Sequence, residues 1–155
     1  MTPVSLVLDE LNISYRIFTQ AARINSLEEA AAERGQHLEQ IVRSLVFRIA
    51  QDEFVMVLMA DPGRVSWPAL RKHLAQSRLT TATEEELLAA TGYEHGAAAP
   101  FGLPRPMRIL IDESVQTQNE ISLGSGVRGT AILMKANDLL RALPHAELGS
   151  FGKSS

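Results

Sequence analysis

The chain of 155 residues is 45% apolar and 21% charged, with a formal charge of −3. That length suits one domain able to bury its own core, and the composition is that of an ordinary soluble globular protein. The lack of cysteine excludes disulfides and thiolate chemistry, and the acidic balance argues against broad nucleic-acid binding, so no DNA partner is expected.

The N-terminus lacks the order of basic region and apolar run that marks a signal sequence, and no run is long enough to span a bilayer. A cytoplasmic location without a membrane partner is the expectation. Thr2 and Pro3 read as an N-cap and a first-turn proline, and Val4, Val7, Leu8 and Leu11 recur at helical spacing. Residues 15–19 read as a strand. A capping box from Ser26 to Glu29 opens a second helix, which Gly35 closes. Apolar runs at 41–49 and 54–60 flank polar residues and predict a hairpin. The second run, FVMVLMA, is apolar on both faces. It predicts a central strand with Val55 and Val57 on one face and Met56 and Leu58 on the other.

Ser66-Trp-Pro-Ala starts a third helix, and a capping box at Thr83 starts a fourth that ends at Gly92. Residues 107–112, 120–123 and 130–134 predict three more strands, and 137–143 a closing helix. The sum is about six strands mixed with about five helices, an α+β fold rather than a regular βαβ winding. A single domain over residues 1–143 is expected, with a mixed, mostly antiparallel central sheet flanked by short helices. The tail, 144–155, has no apolar period and is expected to be flexible.

Gly124 to Gly129 spells GxGxxG, but the strand-like TAILMK follows where a dinucleotide site needs a helix N-terminus. A glycine-rich turn between strands, able to line a pocket, is the better reading. Gly152-Lys-Ser imitates half a P-loop, yet Glu147 stands where its first glycine belongs. His37, His73, His95 and His145 show no ligand spacing, so no metal is expected. The segment 91–103, TGYEHGAAAPFGL, is the most informative. Two readings of it stand. Its small side chains uncover amide N–H groups able to hold a carbonyl oxygen or a phosphate, or it is a tight surface loop without a ligand.

TGYEHGAAAPFGL resembles the glycine–three residues–proline loop of the YbaK/prolyl-tRNA synthetase-associated domain family. IVRSLVFRI, VLMADPGRVSWPALRKHL, ILIDES and ISLGSGVRGTAILM match further segments in the same order, and the resemblance extends over roughly residues 15–143. The resemblance implies a trans-editing deacylase that hydrolyses the ester of tRNA mischarged with a small amino acid. Its partners would be the aminoacylated 3′ end of a tRNA and an aminoacyl-tRNA synthetase, with no cofactor. It implies catalytic roles for Arg43 and for the loop of Gly96, Ala97, Ala98, Ala99 and Pro100. It implies substrate-binding roles for Ser44, Phe101, Asp112, Gly124, Ser125 and Gly126.

The sequence departs from the family where a lysine is usual on the early strand: Arg43 stands there, before Ser44 and Leu45. Arginine keeps the charge and the forked donors but cannot act as a base. With twelve arginines and three lysines the chain favours arginine generally, so Arg43 can keep an anchoring role. The alternatives are a non-catalytic binder of aminoacyl-tRNA or of an aminoacyl nucleotide, and an Arg43 that is an ordinary strand charge. Arg64, Arg71, Lys72 and Arg78 form the best candidate for a basic tRNA-binding rim. An ordinary solvated face is the competing reading.

Overall fold

The computed structural model describes residues 1–20 and 26–153. Helix α1 (Pro3–Glu10) starts where Thr2 and Ser5 cap each other reciprocally, and it buries Val4 and Leu8. Leu11, expected on the same apolar face, instead closes the helix and is 47% exposed. Strand β1 (Arg16–Thr19) is followed by α2 (Leu27–Arg34), capped by the Ser26 hydroxyl and ended by Gly35 in the left-handed conformation. β2 (Arg43–Ala50) and β3 (Glu53–Met59) form the expected hairpin. Then follow α3 (Trp67–Leu74), β4 (Thr80–Thr81), α4 (Glu84–Thr91), β5 (Arg108–Asp112), β6 (Glu120–Gly124), β7 (Thr130–Lys135), α5 (Ala136–Ala142) and β8 (Glu147–Gly149).

The strands divide between two sheets, where the sequence reading had one. A three-stranded antiparallel sheet runs β1-β7-β6, and a five-stranded mixed sheet runs β4-β2-β3-β5-β8. Antiparallel pairing dominates, with β3-β5 and β5-β8 as the parallel pairs. A bridge between Ile41 and Ser122 joins the sheets. β3 is central as expected, and Val55 to Met59 are all fully buried. Its Met56 and Leu58 enter a core shared with α1, β6, β7 and α5, while Val55, Val57 and Met59 pack with Leu70 and Leu74 of α3. At ~25 cal/mol per Å² of apolar surface, two-sided burial makes this strand the chief hydrophobic anchor.

The tail expectation needs correcting for residues 147–153. β8 adds to the edge of β5, and Phe151 is 1% exposed beneath α3. The Phe151 N–H donates to Asp112 Oδ1 at 2.6 Å, and its carbonyl accepts from Ser66 N–H at 2.7 Å. One large apolar side chain plus strand pairing overrides a segment that has no periodicity of its own.

Glu147 clamps this strap, accepting from Arg108 at 2.6 and 2.7 Å and lying 3.1 Å from His73 Nε2. The Arg108 hydrogen bonds lead in holding its carboxyl down to about 2, against 4.5 ordinarily. A depressed acid contributes stability that is full above pH 4.5 and lost as pH falls through 2. Solvent screening limits the contribution to about 1 kcal/mol or less. Thermal melts should therefore show wild type losing more stability than Glu147→Gln across that acid window. Parallel curves would remove the ion pair from the account.

Candidate functional site

β2 is covered unevenly on the side away from β3. β4 pairs only with Phe47 and Arg48, and the Ala82 N–H then donates to the Val46 carbonyl at 3.0 Å. At the other end the Val42 N–H reaches the Ser122 carbonyl at 2.8 Å. Val42 and Val46 thus turn their main-chain groups away from β3. By the two-residue period of a strand, Ser44 between them does the same. A cleft of about 730 Å³ opens at this gap. Its walls include Ser44, Val46, Phe47, Val65, Trp67 and Leu87, with His95, Arg64 and Lys153 also lining it. Phe47 meets Trp67 edge-to-face at 5.3 Å and so fixes the indole. The Ser44 hydroxyl oxygen is buried and has no hydrogen-bond partner among the described residues.

Arg43 does not line this cleft. Its Nη2 donates to the carbonyls of Asp61 and Gly63 at 2.5 and 2.7 Å, pinning the turn that leads into Arg64 and α3. Burial, partly offset by Asp61, lowers its pKa, and its Nε is buried without a partner among the described residues. In this structure Arg43 tethers the turn that leads into a cleft wall.

The 96–100 loop and the glycine turn do come together. The Gly126 N–H donates to the Ala97 carbonyl at 3.0 Å, and Gly124 lies against the Ala97 and Ala98 carbonyls. The loop is not uncovered as its small side chains suggested. Ala97, Ala98, Ala99, Pro100 and Phe101 are all buried, and only Gly96 is exposed. The Ala97 N–H is spent on the Glu94 carbonyl at 3.1 Å. Alanine side chains here let backbone pack on backbone rather than face solvent. Tyr93 completes the packing, its hydroxyl donating to the Phe101 carbonyl.

Two other expected contacts are consumed by the fold. Asp112 is 2% exposed, and its oxygens accept from Ser114 N–H and Phe151 N–H. The Ser125 hydroxyl closes its own turn with Val127 and Thr130. Both side chains are engaged within the fold, and a buried acceptor already satisfied has little left to offer a ligand. Of the basic quartet, Arg64 lines the cleft and the others do not. Lys72 and Arg78 are exposed and Arg71 is half-buried on or after α3. None of the four is in an ion pair among the described residues.

Residues 21–142 match the aminoacyl-tRNA editing domain. The chain belongs to that family. It is 30% identical over 128 residues to a proline–tRNA ligase of Streptococcus thermophilus, covering 83% of this chain and 20% of the ligase. A proline–tRNA ligase of Streptococcus pneumoniae is 29% identical over 106 residues, covering 68% of this chain and 17% of the ligase. The chain thus spans about a fifth of the length of the curated relatives it matches. Its fold is that of a solved protein described as a candidate trans-editing enzyme for prolyl-tRNA synthetase. The TM-score there is 0.87 at 24% identity, with 98% of this chain and 96% of that one covered. A solved hypothetical protein superposes with a TM-score of 0.88 at 18% identity, over 97% of this chain and 99% of the other.

In this editing-domain chain, sequence reasoning missed Trp67, His95 and Lys153 as cleft residues. Trp67 carried a signal, being the chain's one tryptophan and placed beside a helix cap. Lys153 carried none, since its pairing with Arg64 joins residues 89 apart in the chain. No helix among the described residues is long and apolar enough to cross a membrane.

Proposed function

We propose that the cleft beside β2 binds the aminoacylated 3′ end of a tRNA and that the protein hydrolyses the ester of a tRNA mischarged with a small amino acid. The observation that carries this reading is the unpartnered Ser44 hydroxyl in an apolar cleft of an editing-domain chain. Buried polar groups are nearly always paired, so an orphan in a cleft wall fits a group awaiting a ligand. Water attacks the ester carbonyl carbon, the Ser44 hydroxyl and its main-chain N–H on the free edge hold the oxyanion, and collapse expels the ribose oxygen, which takes up the proton the water gives. Such donors act best when fixed beforehand, as a strand edge is. The apolar Val46, Phe47 and Leu87 line the cleft, and selection by size would rest on their steric contact with the side chain. Arg64, with Arg71, Lys72 and Arg78 beyond it, supplies the basic rim on an acidic protein. The related segments lie within proline–tRNA ligases, which supports a synthetase as partner and work in the cytoplasm.

A non-catalytic aminoacyl-tRNA binder is the second reading, favoured by Arg43 standing in place of the family's lysine and being engaged by a turn. Purified protein at substoichiometric concentration, with a panel of mischarged tRNAs, separates the two. Turnover selects the enzyme, whereas salt-sensitive binding without turnover selects the binder. Within that assay Ser44→Ala should melt no lower than wild type, because it removes an unsatisfied buried oxygen. It should nevertheless deacylate roughly tenfold more slowly, the loss of about one hydrogen bond in the transition state. Wild-type rates in Ser44→Ala would take the hydroxyl out of the site.

A further inference from the structure

The C-terminal strap reaches the cleft by a route that the editing-domain match does not include, since that match stops at residue 142. Val65 and Gly152 form an antiparallel bridge, and the Lys153 N–H donates to the Arg64 carbonyl at 2.8 Å. Phe151, locked by Asp112 and Ser66, fixes this arrangement from beneath. Two cationic residues joined through their main chains therefore line the same cleft. Both are exposed, and neither is in an ion pair among the described residues. The Asp61 carboxylate on the adjoining turn accepts from the Gly63 N–H at 2.7 Å. Trp67, fixed edge-on by Phe47, supplies an aromatic surface in the same cleft.

We propose that Lys153 and Arg64 form a phosphate clamp at this cleft, holding the phosphate 5′ of a terminal nucleoside whose base packs on Trp67. This deepens the reading above and rests on it for the identity of the nucleotide end. Side chains that leave paired backbone segments beside one another can converge on one phosphate, and lysine and arginine both serve as phosphate donors. Aromatic surfaces hold bases of any sequence by stacking. The fold thus uses its last strap to complete a substrate wall, and Asp112 contributes by seating Phe151.

Calorimetric titration with adenosine and with adenosine 5′-monophosphate tests the clamp directly. Wild type should bind the monophosphate roughly tenfold tighter than the nucleoside, as a charge-assisted hydrogen bond provides. Lys153→Ala should remove most of that preference while leaving adenosine affinity and the melt unchanged, and Lys153→Arg should keep it. Equal affinity for the two ligands, or a preference that survives in Lys153→Ala, overturns the clamp. Deacylation of alanyl-tRNA is followed in the same variants. Turnover without a phosphate preference leaves the enzyme reading standing and removes the clamp. A Lys153-dependent preference without turnover does the reverse.

Discussion

Arg43→Ala should lower deacylation by about 10²-fold, the typical cost of disturbing a preorganised donor set. Arg43 would act as a positioning residue, because its Nη2 holds the carbonyls of Asp61 and Gly63 instead of lining the cleft. Without those bonds the turn is released, and with it the segment that carries Arg64, Ser66 and Trp67 into the wall. Hydrogen bonds from a charged donor contribute about 1.5–3 kcal/mol, so the melt should fall as well. An Arg43 that was an ordinary exposed strand charge would leave the melt unchanged. Arg43→Lys is the informative partner. A single Nη2 bonds both carbonyls, and an ammonium has donors enough for both but sits on a shorter, more freely rotating stem, so part of the stability and part of the rate should return. Single-turnover deacylation and thermal melts of both variants supply the readout. Full activity in Arg43→Ala with an unchanged melt would show that the turn needs no tether.

Gly124→Ala should destabilise the fold by about 2–3 kcal/mol, at the upper end for overpacking. Its new Cβ would press against the Ala98 carbonyl oxygen and lie 2.8 Å from that of Ala97. Those atoms are backbone and cannot swing aside as a flexible side chain would. The obstruction also pushes the 96–100 loop away from the turn, so the Gly126 to Ala97 hydrogen bond is strained too. Gly96→Ala is the matched comparison. It has open space around it but a φ of +86°, so its cost is conformational, about 1–2 kcal/mol. Urea unfolding of the pair ranks them. A Gly124→Ala variant as stable as Gly96→Ala would mean the loop can retreat without loss.

The sequence alone determined the local elements and the family. Thr2, Ser26, Ser66 and Thr83 cap helices where expected, and Gly35 and Gly92 end theirs in the left-handed conformation. These signals are legible because each acts through residues within one helical turn. The double-sided FVMVLMA run announced a central strand for a similar reason, since burial on both faces leaves no polar alternation. Five ordered motifs likewise carried the family resemblance through the chain.

Tertiary structure decided which polar groups remain available for chemistry. Arg43, Asp112 and Ser125 look alike in the sequence as polar residues in family-like motifs. Whether each faces a ligand depends on partners 18, 39 and 5 residues away. Likewise Ala97 to Ala99 suggested an open loop, but the approach of Gly124 makes them a buried seam. Lys153 and Ser44 changed most. One gains a place in the cleft through a strand bridge, and the other keeps a buried hydroxyl without a partner among the described residues, beside the stretch of β2 that β4 does not reach. Caps and periodicity are set by neighbours along the chain, whereas the satisfaction of a hydrogen-bonding group is set by whatever the fold brings beside it.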